Sequence, residues 1–411
     1  MNLITMVYLI SLILLLLPAY LIRFSILGIP TTLLEVLIYF IFIYGLYQAR
    51  QAGFRKIPPK IFLPVGFLII ALTASVVIAP DKRVALGEFK GFFIDPILVF
   101  WLIYQFVKSK DISKLFIVLI LSGTLVAIYT IFQKILGQTT PDGRVIGLFG
   151  YSPNYVALFL APIAVMLTTY SFRLTAEKKN YWLLAVGGLL LALNLLAIYF
   201  SGSRGGILAI FGGLAIFALI HFWSWIRQRI SSQIILVILI LMAIYTSWTF
   251  LKPDFTVSQE SGGRVATSNN LRWQIWQTSL ELGGKHPILG VGLGNFQDSF
   301  DELTRDRGNF PEYITPMALT PHNIFLMFWL STGLLGLASF IWILFGFYQQ
   351  AVKHYRSNPT AVVLVAVMST MVIYGLVEAS IWKNDLSIIF WVMWGLVWVT
   401  DNANLKVQNA K

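Results

Sequence analysis

Apolar runs of membrane-spanning length recur from one end of this sequence to the other. Hydrophobic residues make up 57% of the 411 residues and charged residues only 12%, so a soluble fold of this size would lack polar surface. A helix needs roughly 20 mostly apolar residues to cross the hydrocarbon core of a bilayer. The sequence therefore predicts an all-α, polytopic transmembrane helix bundle with about twelve spans.

The predicted spans are residues 3–22, 30–47, 61–78, 92–106, 115–135, 154–172, 181–200, 205–225, 234–251, 321–348, 360–377 and 386–400. They divide one integral membrane domain into residues 1–251 with helices 1–9, a large loop at 252–320, residues 321–400 with helices 10–12, and a tail at 401–411. The first run has no basic segment before it and no small-residue cleavage site, so it is interpreted as a retained helix.

Lysine and arginine are concentrated in alternate connections between the predicted spans. Short loops rich in these residues stay in the cytoplasm. The basic set comprises Arg50, Arg55, Lys56, Lys60, Lys108, Lys110, Lys114, Arg173, Lys178, Lys179, Arg227, Arg229, Lys353 and Arg356. This pattern predicts a multi-pass protein with both termini in the cytoplasm. It also explains the net charge of +12 without nucleic acid, because no single basic patch is present.

The loop at 252–320 is far longer than an ordinary connection, and loops of that length are usually functional or disordered. Leu271, Ile275 and Leu282 recur near helical spacing after two asparagines, and Gly283 and Gly284 follow them. We expect at least one short amphipathic helix here, lying at the outer face of the membrane between helices 9 and 10.

The first candidate catalytic segment is Thr320-Pro321-His322-Asn323, at the start of a long apolar run. Threonine can cap a helix and proline suits its first position, so His322 is expected in the first turn at the outer surface. The positive end of the helix dipole would disfavour imidazolium there and preserve the neutral ring that a general base requires. A structural or capping histidine is the alternative interpretation.

Topology separates the four histidines. His221 and His354 fall on the predicted cytoplasmic side, which leaves His286 and His322 outside.

A second candidate is the glycine-rich outer turn at residues 202–206, which leads into a predicted helix and carries Arg204. Glycines permit close backbone approach, and an arginine at a helix N-terminus can bind phosphate in a bidentate manner. The alternative is an interfacial arginine whose side chain extends to the membrane surface.

A third candidate lies in the large loop, where Arg272 and Trp276 share one face of the expected helix. Glycines spaced through residues 287–296 would let the chain fold back towards the membrane. An interfacial helix with aromatic anchors explains the same pattern.

The outer turn at 144–154 is a fourth candidate, in which Arg144 and Asn154 could contact a diphosphate or a sugar. A helix cap at Asn154 is the alternative interpretation. Lys90, with Lys82 and Arg83, falls on the same predicted side and could widen the electropositive entrance to a site for an anionic substrate. Simple exposure to water explains these three basic side chains as well.

These four segments all fall on one predicted face of the membrane, which loop charge assigned independently, so a shared site explains them better than coincidence.

Metal catalysis has no support, because the sequence has no HExxH motif, no DxD pair in the outer loops and no compact His/carboxylate cluster. A serine hydrolase is also disfavoured by the absence of GxSxG, and cysteine is absent. No cofactor is expected.

These residues together resemble the O-antigen ligase and polymerase superfamily of integral membrane glycosyltransferases. The resemblance rests on His322-Asn323 followed by Gly333 and Gly336, on the turn at Arg204, on the series from Arg272 to Phe296, and on the turn at 144–154. It spans roughly residues 60 to 400 and favours a ligase over a polymerase.

The resemblance implies metal-independent transfer of a glycan from undecaprenyl diphosphate to a sugar hydroxyl of the lipid A core, at the periplasmic face of the bacterial inner membrane. By position, His322 resembles the base, while Arg204 and Arg272 resemble the pair that binds the donor diphosphate. Arg144, Asn154, Asn323, Lys90 and Trp276 are further candidates for substrate binding. The implied partners are the lipid-linked donor, the lipid A-core or another glycan acceptor, and membrane lipids, with no nucleic acid.

Three kinds of alternative remain open: another transferase of the superfamily, a transporter and a scaffold. A polymerase of lipid-linked repeat units and a protein O-oligosaccharyltransferase belong to the same superfamily. An inorganic carbon transporter is a different class, but such proteins usually carry ionisable residues deep in their helices, and here these are chiefly Glu35 and Asp95. A non-enzymatic scaffold that binds lipid headgroups is the third.

Overall fold

The computed structural model describes residues 3–26, 29–150, 152–178, 181–222, 255–257, 264–266, 268–305, 320–356 and 358–408. The predicted ninth span, 234–251, and much of the predicted loop at 252–320 lie outside these residues.

The described part of the chain is helical almost throughout. Its α-helices are α1 (Leu3–Leu15), α2 (Leu33–Ala52), α3 (Pro59–Ile78), α4 (Lys82–Glu88), α5 (Asp95–Phe106), α6 (Ile112–Ile135), α7 (Asn154–Lys178), α8 (Tyr181–Ser201), α9 (Arg204–His221), α10 (Ser268–Lys285), α11 (Phe296–Thr304), α12 (Ile324–His354), α13 (Pro359–Gly375) and α14 (Asn384–Gln408). A π-helical segment, Phe89–Ile94, joins α4 to α5, and short 3₁₀ helices lie at Leu17–Leu21, Ser109–Asp111 and Gly147–Phe149.

Two short antiparallel hairpins accompany the helices, and the sequence analysis did not predict them. Strand β1 (Arg23–Ile26) pairs with β2 (Ile29–Thr32), so that Arg23 lies opposite Thr32. Strand β3 (Phe255–Val257) pairs with β4 (Arg264–Ala266). The first hairpin shortens the predicted span 3–22, because α1 ends at Leu15 before the 3₁₀ turn that contains Pro18.

Among the described helices, seven are long and apolar enough to cross a membrane, and α1, α13 and α14 contain shorter apolar stretches. The protein is therefore a multi-pass membrane protein built as an all-α bundle. Each predicted span other than 234–251 overlaps a helix among the described residues. The number of twelve spans remains a prediction, because several of these helices are short for a bilayer.

Helix α7 lies at the centre of the bundle and packs against α6, α8, α9 and α13. In its apolar stretch 78% of the residues are buried, compared with 22% in the corresponding stretches of α8 and α9. Helices α8 and α9 therefore present most of their surface outward, where lipid is the solvent. Helices α5 and α14 pack together, as do α3 and α12.

Residues of the predicted cytoplasmic connections meet at one end of the bundle. The Arg55 guanidinium donates to the backbone carbonyl of Tyr104 at 2.8 Å, and the Lys60 ammonium lies 4.6 Å from the centre of the Trp398 ring. Arg173 donates to Thr360. The predicted alternation of connections between two ends is consistent with these contacts, while the side of the membrane on which each end lies stays a prediction.

Helix α12 changes direction at Gly333, which adopts the left-handed region with φ of 68°. A Cβ atom at this position would lie 1.9 Å from the carbonyl oxygen of Ile288. Gly290, with φ of 72°, approaches the carbonyl oxygen of Leu330 in the same way. The glycine-rich segment after α10 therefore packs backbone to backbone against α12, which fixes the loop helix beside the first turns of α12.

Replacement of Gly333 by alanine should destabilise the fold, because the new Cβ would clash with backbone and the residue would be strained at positive φ. We expect a loss of at least about 2 kcal/mol, measured as a lower thermal midpoint from tryptophan fluorescence of the protein in nanodiscs. Gly346→Ala is the matched control, since nothing lies within 4 Å of its added Cβ. Equal melting of the two variants would contradict this account of the bend.

Candidate active site

His322 lies immediately before α12, not in its first turn. The cap of α12 is Asn323, whose side chain accepts hydrogen bonds from the backbone N–H groups of Phe325 and Leu326 at 2.9 and 3.1 Å. The expected Thr320 cap is therefore wrong, because the helix begins too far along the chain for Thr320, whose hydroxyl accepts a hydrogen bond from the backbone N–H of His322 at 3.4 Å. His322 has φ of 46°, a conformation that non-glycine residues rarely adopt and that often occurs at functional sites.

The His322 ring is held by a carboxylate. Its Nδ1 lies 2.8 Å from Oε2 of Glu378, which belongs to the connection between α13 and α14. When Nδ1 carries the ring proton and donates it to this oxygen, Nε2 of the neutral ring is unprotonated and can accept a hydrogen bond. The contact therefore orients the ring and leaves one nitrogen for another partner.

Glu378 also joins two further segments to this histidine. Its Oε1 accepts a hydrogen bond from Nη2 of Arg272 at 2.9 Å and one from Nδ2 of Asn154 at 2.7 Å. Burial by itself would raise the pKa of the Glu378 carboxyl, but the charges and hydrogen bonds of His322 and Arg272 outweigh burial and lower the pKa to about 2. Glu378 is thus a carboxylate at every physiological pH.

Arg272 and Trp276 both reach this site from α10. The Trp276 Nε1–H donates to the backbone carbonyl of His322 at 3.3 Å, one helical turn from the contact of Arg272 with Glu378. Residues from the large loop thus fix both the main chain and, through Glu378, the ring of the histidine.

Arg144 supports Asn154 from the neighbouring outer turn. Its Nη2 donates to Oδ1 of Asn154 at 2.8 Å and its Nε donates to the carbonyl of Ser201 at 2.7 Å. Since Asn154 in turn donates to Glu378, its side-chain amide has a fixed orientation. Arg144 contacts the carboxylate only through this amide.

Arg204 opens α9 next to the site. Ser203 caps this helix, and its hydroxyl lies 2.5 Å from the Tyr374 hydroxyl, which is 3.3 Å from the carbonyl of Asn154. The Arg204 side chain is exposed and forms no hydrogen bond or ion pair with the residues that the structure describes. The backbone at Arg204 is therefore anchored while its guanidinium remains open to a ligand.

Two predicted substrate-binding residues have structural partners. Lys90 forms an ion pair with Glu35 at 2.8 Å and donates to the carbonyl of Pro30 at 2.8 Å. Besides its capping role, Asn323 donates through Nδ2 to the carbonyl of Leu376. These contacts account for both side chains without substrate, so their binding roles stay predictions.

A cavity of about 560 Å³ adjoins the histidine. Its lining includes His322, Glu378 and Asn154, whereas Arg272, Arg144 and Arg204 do not line it. The rest of its wall is formed by Tyr20, Arg23, Glu88, Phe92, Ser152, Tyr155, Leu158, Thr320, Met327, Ala379, Trp382, Lys383 and Asn384. The Glu378 carboxylate thus contacts His322, which lines the cavity, through Oε2, and Arg272, which does not line it, through Oε1.

Sequence reasoning missed Glu378, the residue that connects these groups. Glu378 lies in the predicted outer connection between the last two spans. The available signal was its position between two nearly uncharged apolar runs, in a connection that also carries Lys383 and Asp385. Such a cluster on the predicted face of His322 could have been tested as a partner for the ring.

Comparison with known families adds to this geometry. Residues 188–341 match the family model described as O-Antigen ligase, and this range contains Arg204, Arg272 and His322. The chain is thus similar to the O-antigen ligase family over the segment that holds these three residues. Arg144, Asn154 and Glu378 lie outside the matched range, so contact with the family segment in three dimensions is what associates them with it.

Similar proteins from three bacteria extend the comparison. An O-antigen ligase of Salmonella typhimurium is 25% identical over 324 residues, which cover 75% of each chain. The teichuronic acid biosynthesis protein TuaE of Bacillus subtilis is 27% identical over 267 residues, or 60% of this chain and 50% of that protein. An uncharacterised protein of Haemophilus influenzae is 27% identical over 212 residues, or 47% of this chain and 50% of that protein.

Proposed function

We propose that this chain is an O-antigen ligase-like glycosyltransferase that moves a glycan from undecaprenyl diphosphate to a sugar hydroxyl on lipid A-core or another membrane-bound acceptor. The reaction takes place at the periplasmic face of the inner membrane, with both termini of the chain in the cytoplasm. The observation that carries this proposal is the Glu378 carboxylate, which orients His322 at a cavity and also binds Arg272.

His322 is proposed as the general base. With Nδ1 donating to Glu378, Nε2 can accept the proton of an acceptor hydroxyl that enters from the cavity. The adjacent carboxylate stabilises the imidazolium that this transfer creates. Glu378 acts in this scheme as a positioning residue, since it reaches the substrate only through the ring.

Arg204 and Arg272 are proposed to bind the donor diphosphate. Arg204 has an exposed guanidinium at a helix N-terminus, where the helix dipole also favours an anion. Arg272 uses Nη2 for Glu378, and its Nε is a buried donor with no hydrogen-bond partner among the described residues. A buried donor of this kind is expected to find a partner, and a phosphate oxygen brought close by closure of the site would supply one.

The bond changes balance without any further reactant. The acceptor oxygen forms a bond to the anomeric carbon as the bond from that carbon to the diphosphate oxygen breaks, and the electron pair leaves with undecaprenyl diphosphate. The hydroxyl proton passes to Nε2 of His322. Direct displacement of this kind inverts the anomeric centre, and the two arginines stabilise the charge that develops on the leaving group.

The names of the relatives favour a ligase and leave a polymerase as the alternative. The Salmonella relative is an O-antigen ligase and covers more of this chain than the Bacillus relative, whose name concerns teichuronic acid biosynthesis. A polymerase that joins lipid-linked repeat units would use the same base and the same leaving group. It would differ only in the acceptor, which would be a second lipid-linked glycan.

Reconstituted transfer tests the proposal. Purified protein in liposomes receives lipid-linked glycan with lipid A-core, with a second portion of lipid-linked glycan alone, or with an acceptor protein. Glycosylated lipid A-core and free undecaprenyl diphosphate are the expected products. Chain growth on the lipid carrier alone would indicate the polymerase, a glycoprotein would indicate an oligosaccharyltransferase, and no transfer would favour a scaffold or a transporter.

Variants of the two arginines should impair use of the donor. We expect Arg204→Gln and Arg272→Gln each to raise the donor KM or lower kcat/KM by roughly 10- to 100-fold, because each loses charge-assisted hydrogen bonds. Arg272→Lys should recover little activity, since an ammonium cannot match the planar guanidinium that binds Glu378. Transfer kinetics at saturating acceptor measure the effect, and Arg83→Gln, an exposed change at the same end, is the control.

A further inference from the structure

The cavity beside His322 carries two cationic side chains that the proposed chemistry does not use. Arg23 belongs to the hairpin formed by β1 and β2, and Lys383 directly precedes α14. Both line the same cavity as His322, and the charge of Arg23 acts on Lys383. Two like charges at one cavity wall repel each other, and an anion bound between them would relieve that repulsion.

Lys383 is fixed against the cavity wall. Its ammonium lies 3.2 Å from the centre of the Tyr155 ring, which also lines the cavity. Burial lowers the pKa of Lys383 well below its ordinary value, and the nearby carboxylate of Asp385 opposes this effect. Lys383 lines the cavity, whereas Asp385 does not.

The hairpin that carries Arg23 is anchored over the cavity. Lys90 donates to the carbonyl of Pro30 in β2 and pairs with Glu35, which also accepts a hydrogen bond from the Thr31 hydroxyl. Lys90 belongs to the same π-helical segment as Phe92, another residue of the cavity wall. The ion pair of Lys90 thus positions the strand that is paired with Arg23, which gives this lysine a structural purpose.

The remaining lining suits a sugar. Phe92, Tyr155 and Trp382 present aromatic rings, and amphipathic rings with polar edges pack well against the apolar faces of sugars. Glu88 is the acidic side chain of the wall apart from Glu378, and it accepts a hydrogen bond from Nε1 of Trp382 at 3.2 Å. Glu378, the other acidic side chain of the wall, is bound by Arg272 and His322.

We propose that Arg23 and Lys383 form an anion subsite for a negatively charged substituent, phosphate or carboxylate, on the acceptor glycan. This inference rests on the proposed function, because it assigns the cavity to the acceptor that His322 deprotonates. The proposed donor site is elsewhere, because neither Arg204 nor Arg272 lines this cavity. Glu378 connects the two proposed sites through its bonds to His322 and Arg272.

The test compares three acceptor oligosaccharides that differ at one position, with a phosphate, a carboxylate or a neutral hydroxyl. Liposomes contain the wild type, Arg23→Gln, Lys383→Gln or the control Arg50→Gln, an exposed position outside the predicted outer face, with lipid-linked glycan at saturation. We expect the wild type to use at least one charged acceptor about tenfold better than the neutral one, through a lower acceptor KM. Which charged acceptor it prefers identifies the substituent.

Arg23→Gln and Lys383→Gln should each remove most of that preference, with the donor KM and the rate on the neutral acceptor unchanged. Arg23 lies on an exposed hairpin, so its variant should fold even if the buried Lys383 variant does not. Equal acceptor KM values in Arg23→Gln and wild type, or no charge preference in the wild type, would overturn the subsite while leaving the transferase intact. No transfer by the wild type to any acceptor would instead contradict the proposed function.

Discussion

His322→Ala should lower the rate of glycan transfer by at least roughly a thousandfold while the protein still inserts and folds. Loss of a positioned base removes about 10²- to 10⁴-fold of the rate in comparable reactions. The alanine also removes the hydrogen bond between the ring of His322 and the Glu378 carboxylate, which then has no catalytic ring to orient. Transfer from lipid-linked glycan in liposomes measures the loss, and donor binding measured separately should stay close to that of the wild type.

The matched control for this variant is His286→Ala. His286 lies on the same predicted side of the membrane, is exposed, and does not line the cavity beside His322. Its replacement should leave the rate within about twofold of the wild type, as for most exposed positions without a special role. Substantial activity in His322→Ala, with normal activity in the control, would remove the base from the mechanism.

Glu378→Gln should cost roughly a hundredfold to a thousandfold in kcat, with little change in either KM. The amide can still occupy the same space, but it carries no charge to stabilise an imidazolium and can present a donor to Nδ1 of the ring. Glu378→Asp keeps the charge and should recover part of the rate. A purely structural role for Glu378 would instead lower the amount of folded protein and leave the kcat of the folded fraction unchanged.

The pH dependence of stability also distinguishes an ionised Glu378 from a purely structural one. The pKa of Glu378 is about 2 in the fold and 4.5 ordinarily, so its contribution to stability is complete above pH 4.5 and is lost as pH falls towards 2. The thermal midpoint of Glu378→Gln should therefore lie below that of the wild type at pH 7, and the difference should shrink between pH 4.5 and 2. A constant difference across that range would contradict the ionised carboxylate at this position.

Particular residues show how far sequence reasoning reached. His322, Arg272, Asn154 and Arg144 come from separate outer segments, and hydrogen bonds join them in a single network through Glu378 and Asn154. Their common location was predictable because loop charge sorts connections to one side of a membrane. Their contacts were not, because topology places residues on a face without saying which helices are neighbours.

The helix cap at His322 shows a different limit. Thr320, Pro321 and Asn323 all carry signals for a helix start, and only the structure decides among them. Asn323 caps α12 because its side chain reaches two backbone donors, which leaves His322 outside the helix in the left-handed region. Local preferences of this kind differ by about 1 kcal/mol, so packing of α10 and Glu378 around the histidine can select the outcome.

The sequence by itself determined that this chain is a membrane helix bundle, and it located most spans, because burial in lipid imposes one apolar pattern on each helix. It also assigned the candidate side chains to one end of the bundle. Only the tertiary structure brought Glu378 to His322, separated Arg272 from the cavity, and placed Arg23 beside Lys383. The physical reason is that a hydropathy pattern records the solvent of each helix, whereas an active site depends on which helix ends pack together.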